Sequence, residues 1–102
     1  MIDRHPDTDF VLLHLIGVEV LGKYAGSLPN IYHDISPYSY VSDQRVKLAA
    51  DTFGTDHMIF GSDTPFDGDS QRRVIERVRN MAISDTQKEQ ILGGNLARIL
   101  KL

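Results

Sequence analysis

The stretch MIFGSDTPFDGD, running from Met58, is an apolar strand-like run that stops on Gly61, Ser62 and Asp63 with Pro65 directly behind. It puts a carboxylate where a strand must turn, which is where α/β enzymes keep their chemistry. The apolar run DFVLLHL from Asp9 to Leu15 carries a lone histidine, His14, near its end. Imidazole and carboxylate are the side chains by which a protein holds a metal ion or moves a proton, where the fold brings them together. With no cysteine in the chain, any transition metal must be held by histidines and carboxylates. Both residues also have ordinary readings. Asp63 before Thr64-Pro65 can begin a turn with its carboxylate taking backbone N–H groups, and a lone histidine on an apolar strand is more often packed core.

The other three of the four histidines are weaker candidates. His5 precedes Pro6 near the terminus, and His57 stands at a strand entrance. His33 lies inside the run IYHDI as a core or supporting group rather than a catalytic one. Two further motifs fail on spacing. A calcium loop begun at Asp63 would put Pro65 at its third position and Val74 at its twelfth, where oxygen ligands are required. Gly93-Gly94 follows no strand and has no lysine after it, so it reads as a helix stop rather than a phosphate cradle. Arg72, Arg73, Arg77 and Arg79, with Glu76 among them, read as a solvated helix face.

Candidate residues must be positioned by elements, and the chain repeats one pattern. Short apolar runs at Asp9–Leu15, Ile31–Ile35 and His57–Gly61 have the continuous character of strands buried in a parallel sheet. Extended alternation would put Phe10, Leu12 and His14 on one face, and Ile59, Gly61 and Asp63 likewise. Between the runs fall helical segments. Val18–Ala25 is short, with Gly26, Pro29 and Asn30 marking the loop after it. Ser42 or Asp43 can cap a helix to Phe53, whose apolar residues Val46, Ala49, Ala50 and Phe53 fall at helical spacing, with Gly54 at its end. A further helix runs from about Ser70 to Met81, striped by Val74, Ile75, Val78 and Ala82. Ser84 with Gln87 reads as a capping box, and Asn95 as the cap of a last turn carrying Leu96, Ile99 and Leu100. The order is β-α-β-α-β-α-α, an α/β arrangement of parallel βα units.

Composition narrows the function. The 102 residues are 41% hydrophobic and 25% charged with net charge −3, which fits one globular unit and argues against nucleic acid or an anionic membrane as partner. A small-molecule substrate fits better. The opening Met-Ile-Asp-Arg-His-Pro lacks the apolar core of a signal peptide, and no run is long enough to span a bilayer, so the default compartment is cytoplasmic.

The series HPDTDFVLLHLIG, LPNIYHDIS, FGTDHMIFGSDTPF and LGGNLARIL resembles the C-terminal third of the amidohydrolase-related family of metal-dependent hydrolases, which also contains decarboxylases of aromatic acids. The resemblance implies residues 1–102 as a single piece of a TIM-like (β/α)8 barrel, carrying its sixth to eighth strands and C-terminal helices and leaving the barrel incomplete. By the same resemblance His14 is the sixth-strand histidine, a catalytic group for the water or the substrate carbonyl. Asp63 is the eighth-strand aspartate, catalytic and a metal ligand. The cofactor implied for the complete enzyme is a divalent metal, zinc first. The family's first-strand His-x-His and fifth-strand His have no counterpart, so the expectation is that this chain alone binds no metal tightly and needs a complementary N-terminal part for activity. The alternatives are a decarboxylase of the same family or a non-catalytic remnant that folds by self-association. An apolar face carrying Phe10, Leu12, Ile59 and Gly61, left uncovered, would drive homo-oligomerisation.

Overall fold

Three runs rich in aliphatic and aromatic residues form parallel strands: β1 (Phe10–Leu12), β2 (Ile31–Asp34) and β3 (Met58–Ile59), in the order β1-β2-β3. The structure is a computed structural model and describes residues 4–24 and 29–102. Ala25 and Gly26, expected at the end of the first helix and in the loop after it, lie outside the described residues. Register pairs Phe10 with Ile31, Leu12 with His33, His33 with Met58, and Asp34 with Ile59. The Pro-Asn motif has a local reason. The Asn30 amide nitrogen donates to His5 O and Thr8 O at 3.1 and 2.6 Å, and its carbonyl accepts from Phe10 N–H, so this one residue ties the entry of β1 to that of β2.

Paired residues in a parallel sheet point to the same side. Phe10, Leu12, His33 and Met58 therefore share the side covered by helices, where His33 tilts against Phe53 at 4.2 Å between ring centroids. Val11, Tyr32, Asp34 and Ile59 share the other. This corrects the expected face. Phe10 and Leu12 do not stand beside Ile59, and the exposed large apolar side chains in this part of the chain are instead Val11 on β1, Leu13 and Ile16 after it, and Val20 in the helix that follows. On the second face Tyr32 stacks on His57, and Tyr32 and Ile59 are almost fully buried.

The strands are shorter than their apolar runs. After Leu12 the chain tightens into a 3-10 turn over Leu13–Leu15, and His14 and Leu15 take left-handed backbone angles with φ of 61° and 54°. A 3-10 turn at Thr55–His57 likewise delays the start of β3. The helices are α1 (Val18–Leu21), α2 (Asp43–Phe53), α3 (Ser70–Arg79), α4 (Asp85–Glu89) and α5 (Asn95–Ile99). Ser42 caps α2 by accepting from Arg45 N–H, and Gly54 follows at φ 90°, a left-handed conformation that glycine adopts without strain. Ser84 and Gln87 form the reciprocal capping box of α4. The core between sheet and helices holds Leu15, Val18, Ile35, Val46, Ala49, Met58, Val74, Val78 and Ile91.

At the C-terminal end one expectation is refined and one corrected. The helix does break at Gly93, whose backbone leaves the helical range at φ 171° and ψ −26°, and a π turn over Gln90–Gly94 joins α4 to α5 across that kink. The wider turn frees the Ile91 carbonyl, which accepts Phe60 N–H at 2.9 Å just beyond β3. Asn95, rather than capping a turn, sits fully buried with its side-chain nitrogen donating to Thr55 O and Met58 O, both at 2.7 Å. Arg72, Arg73 and Arg79 are exposed as expected. The Arg77 side chain is only 7% exposed, with its guanidinium 4.3 Å from the Tyr38 ring centre and beside the Asp43 carboxylate.

Candidate active site

The carboxyl ends of the three strands meet at one carboxylate that the sequence did not single out. Asp34, the last residue of β2, is 5% exposed and accepts from His14 N–H at 3.1 Å, Ser36 Oγ–H at 2.9 Å and Ser36 N–H at 3.1 Å. Its third neighbour is Gly61. A Cβ there would lie 2.3 Å from Asp34 Oδ1 and 3.0 Å from Ser36 Oγ, so only glycine leaves the carboxylate its place. The sequence signal for Asp34 is an acid at the end of an apolar strand with a serine two residues on, IYHDIS.

His14 does reach this mouth, by a different route from strand alternation. The left-handed turn at His14 and Leu15 swings the imidazole over the ends of β2 and β3. Nδ1 lies 2.6 Å from the Ser36 carbonyl oxygen and 3.3 Å from Asp34 Oδ2. A carbonyl can only accept, so the proton of the neutral ring sits on Nδ1 and the lone pair on Nε2. That lone pair lies on the side of Asp63, whose Oδ1 is 4.0 Å from Nε2.

Asp63 is held by its backbone. Its φ is 60°, and its carbonyl, not its carboxylate, accepts from Phe66 N–H at 2.9 Å and Asp67 N–H at 3.3 Å. The turn expected of Asp63 therefore exists, yet it leaves the carboxylate free of hydrogen bonds within the described residues. The side chains of His14 and Asp63 are 33% and 25% exposed, open enough for a ligand to touch. The next loop is tied down: Asp67 accepts from Ser39 N–H and Ser39 Oγ–H at 3.1 and 2.8 Å, and these bonds hold its carboxyl below the usual carboxylate range. Arg45 secures the other side, donating to Leu15 O at 2.8 Å and to Glu19.

Neither His33 nor His57 joins the site. Both ring nitrogens of His33 are buried without partners, and burial, with the charge of His57 second, pushes it down to about 4. His57 Nδ1 is 2.9 Å from Ile31 O, at the opposite end of the strands. As donors for an ion, the Asp63 carboxylate and His14 Nε2 face the same space, but no group of three His, Asp or Glu side chains among the described residues is arranged to hold one.

The amidohydrolase family profile matches residues 1–102. The chain belongs to the amidohydrolase family. No curated protein matches its sequence significantly. Among solved structures, an amidohydrolase from Burkholderia multivorans with bound zinc superposes at a TM-score of 0.80 with 20% identity, over 99% of this chain and 46% of the other. A 5-carboxyvanillate decarboxylase from Sphingomonas paucimobilis gives 0.73 and 20% over 98% and 36%. A putative amidohydrolase from Staphylococcus aureus gives 0.76 and 19% over 98% and 37%. The family member described here thus spans less than half the length of these structures, and its parallel βα units are part of a TIM-barrel fold.

Proposed function

We propose that this amidohydrolase-family chain carries part of the active site of a metal-dependent hydrolase, acting on a small carbonyl or ring substrate. Asp63 is the ligand to a divalent metal, with zinc first because of the zinc-bound Burkholderia structure. His14 serves the attacking water and the substrate carbonyl. The supporting observation is the Nδ1–H···O=C bond to Ser36, which commits the Nε2 lone pair to the mouth beside the unbonded Asp63 carboxylate. In that form Nε2 can take a proton from water, and once protonated it can donate one to a carbonyl oxygen or leaving group. The bound ion supplies water that ionises near neutral pH. Asp63 contributes one of the three protein ligands that a catalytic zinc normally takes, so the rest must come from outside the described residues, from a complementary N-terminal part.

The test supplies that part together with zinc and measures hydrolysis across a panel of lactones and amides. Zinc-dependent turnover that falls about 100-fold or more in Asp63→Asn supports the reading, since the substitution removes a charged ligand. An unchanged rate in Asp63→Asn removes Asp63 from the site. Titrated alone by calorimetry, the chain should show no one-to-one zinc site of nanomolar affinity, and finding one would mean that the ligand set is complete without a second part.

Decarboxylation is the second reading, favoured by the decarboxylases among the structures that share this fold. Protonated Nε2 would then deliver its proton to the ring carbon that loses CO2. Release of CO2 from aromatic acids with no hydrolysis of the lactone and amide panel would select it.

A further inference from the structure

We propose that Asp34 is a positioning residue for His14: it fixes which ring nitrogen of His14 carries the proton, acting through Ser36. The consequence for catalysis rests on the function proposed above, whereas the effect on the ring rests on geometry alone. The chain of contacts is short. Asp34 Oδ1 accepts from Ser36 N–H and Oδ2 from Ser36 Oγ–H, which pins the Ser36 residue at its backbone nitrogen and its side chain where its carbonyl lies 2.6 Å from His14 Nδ1. Oδ2 also accepts from His14 N–H and so holds the left-handed turn that brings the imidazole to the mouth. Both ends of the His14 constraint, backbone and ring, thus trace to one buried carboxylate.

The chemistry of the neighbours makes an amide a poor substitute. Two of the three bonds to Asp34 come from backbone N–H groups, one on each oxygen edge. An asparagine at this position would turn its NH2 against one of those donors. A longer glutamate has no room, because Gly61 already approaches as closely as its missing side chain permits. With Ser36 released, the Nδ1–H donor loses its acceptor. The neutral ring then reverts to the Nε2–H form that an unconstrained histidine side chain prefers, and its lone pair moves to Nδ1, away from Asp63.

The experiment is long-range proton–nitrogen NMR of the chain with labelled histidine, at a pH where the ring is neutral. The two-bond correlation pattern reports which nitrogen is protonated, and His33 and His57 serve as internal reporters of folding. Wild type should show His14 almost wholly as Nδ1–H. Asp34→Asn should convert most of it to Nε2–H while the reporter signals stay in place. Ser36→Ala, which keeps the carbonyl and the Oδ1···N–H bond, should keep the Nδ1–H form.

If wild-type His14 is found as Nε2–H, the proposal is overturned without any variant, so a failure of Asp34→Asn to fold does not protect it. An unchanged Nδ1–H pattern in folded Asp34→Asn overturns it equally. In the enzyme assembled with its complementary part, Asp34→Asn should lower kcat about 10- to 100-fold with KM little changed. A tautomer shift without any activity in wild type would count against the proposed function and leave the positioning role standing.

Discussion

His33 shows how a single side chain can work against the fold that contains it. It is fully buried, its ring nitrogens make no hydrogen bond, and burial pushes it from 6.5 down to about 4. Above pH 6.5 folded and unfolded chains both carry it neutral. Between 6.5 and 4 the unfolded chain binds a proton that the folded chain refuses, so stability falls as pH falls through that window. The full loss is on the order of 3 kcal/mol. His33→Leu should flatten this part of the pH dependence and stabilise the protein at pH 5, read by urea denaturation at pH 5 and pH 7.5; an unchanged slope between the two would contradict it. That His14 and Asp63 would come to one mouth was expected from the motif context, and they lie 4.0 Å apart, but the route His14 takes was not legible. His14 arrives by a left-handed turn, a backbone event that no apolar pattern encodes. Asp34 and Arg77 were missed for a related reason. A charged residue reads as solvated unless its partners are known; Asp34 has Ser36 close by, but its link to His14 spans 20 residues, and Tyr38 and Asp43 lie farther still from Arg77.

At the scale of elements, what the sequence showed best was local. The Ser42 cap, the Ser84–Gln87 box and the Val74–Val78 stripe involve residues within one or two turns of each other, and all appear as expected. The breaks were harder to place. The diglycine does kink the helix, at Gly93, but a π turn carries the chain on into α5 instead of into a loop, and the Ile91 carbonyl in that turn has a partner in Phe60 N–H. Asn95 belongs to the same joint, satisfying two carbonyls around the start of β3. Asn95→Ala would take the side-chain donor from Met58 O and one of the two donors from Thr55 O, which keeps the Met58 N–H, and should cost about 1–3 kcal/mol, measurable as a lowered Tm by circular dichroism. A loss below about 0.5 kcal/mol would show that water replaces the amide there.

For the molecule as a whole, the order β1-β2-β3 leaves β1 at an edge, with exposed Val11, Leu13, Ile16 and Val20 on it and just after it. An open parallel edge flanked by aliphatic side chains is a template for another chain. At roughly 25 cal/mol per Å², covering even about 400 Å² of apolar surface is worth on the order of 10 kcal/mol before association costs. In the absence of a complementary part the chain is therefore expected to self-associate through the β1 edge. Sedimentation velocity at low micromolar concentration should show a dimer or larger species, and Val20→Lys with Ile16→Lys should shift it towards monomer. A sharp wild-type monomer would contradict this.

The two aspartates at the mouth are held by different kinds of constraint. Asp34 takes hydrogen bonds from two of the three strand ends and fills the gap left by Gly61 on the third, so losing it damages folding whether or not the protein catalyses anything. The Asp63 carboxylate contributes nothing comparable to the fold within the described residues. In a lineage selected for folding alone, drift would therefore erase Asp63 early and spare Asp34, leaving the frame at the strand ends intact without the carboxylate beside it. Asp63 in this chain is the residue that folding alone gives little reason to keep.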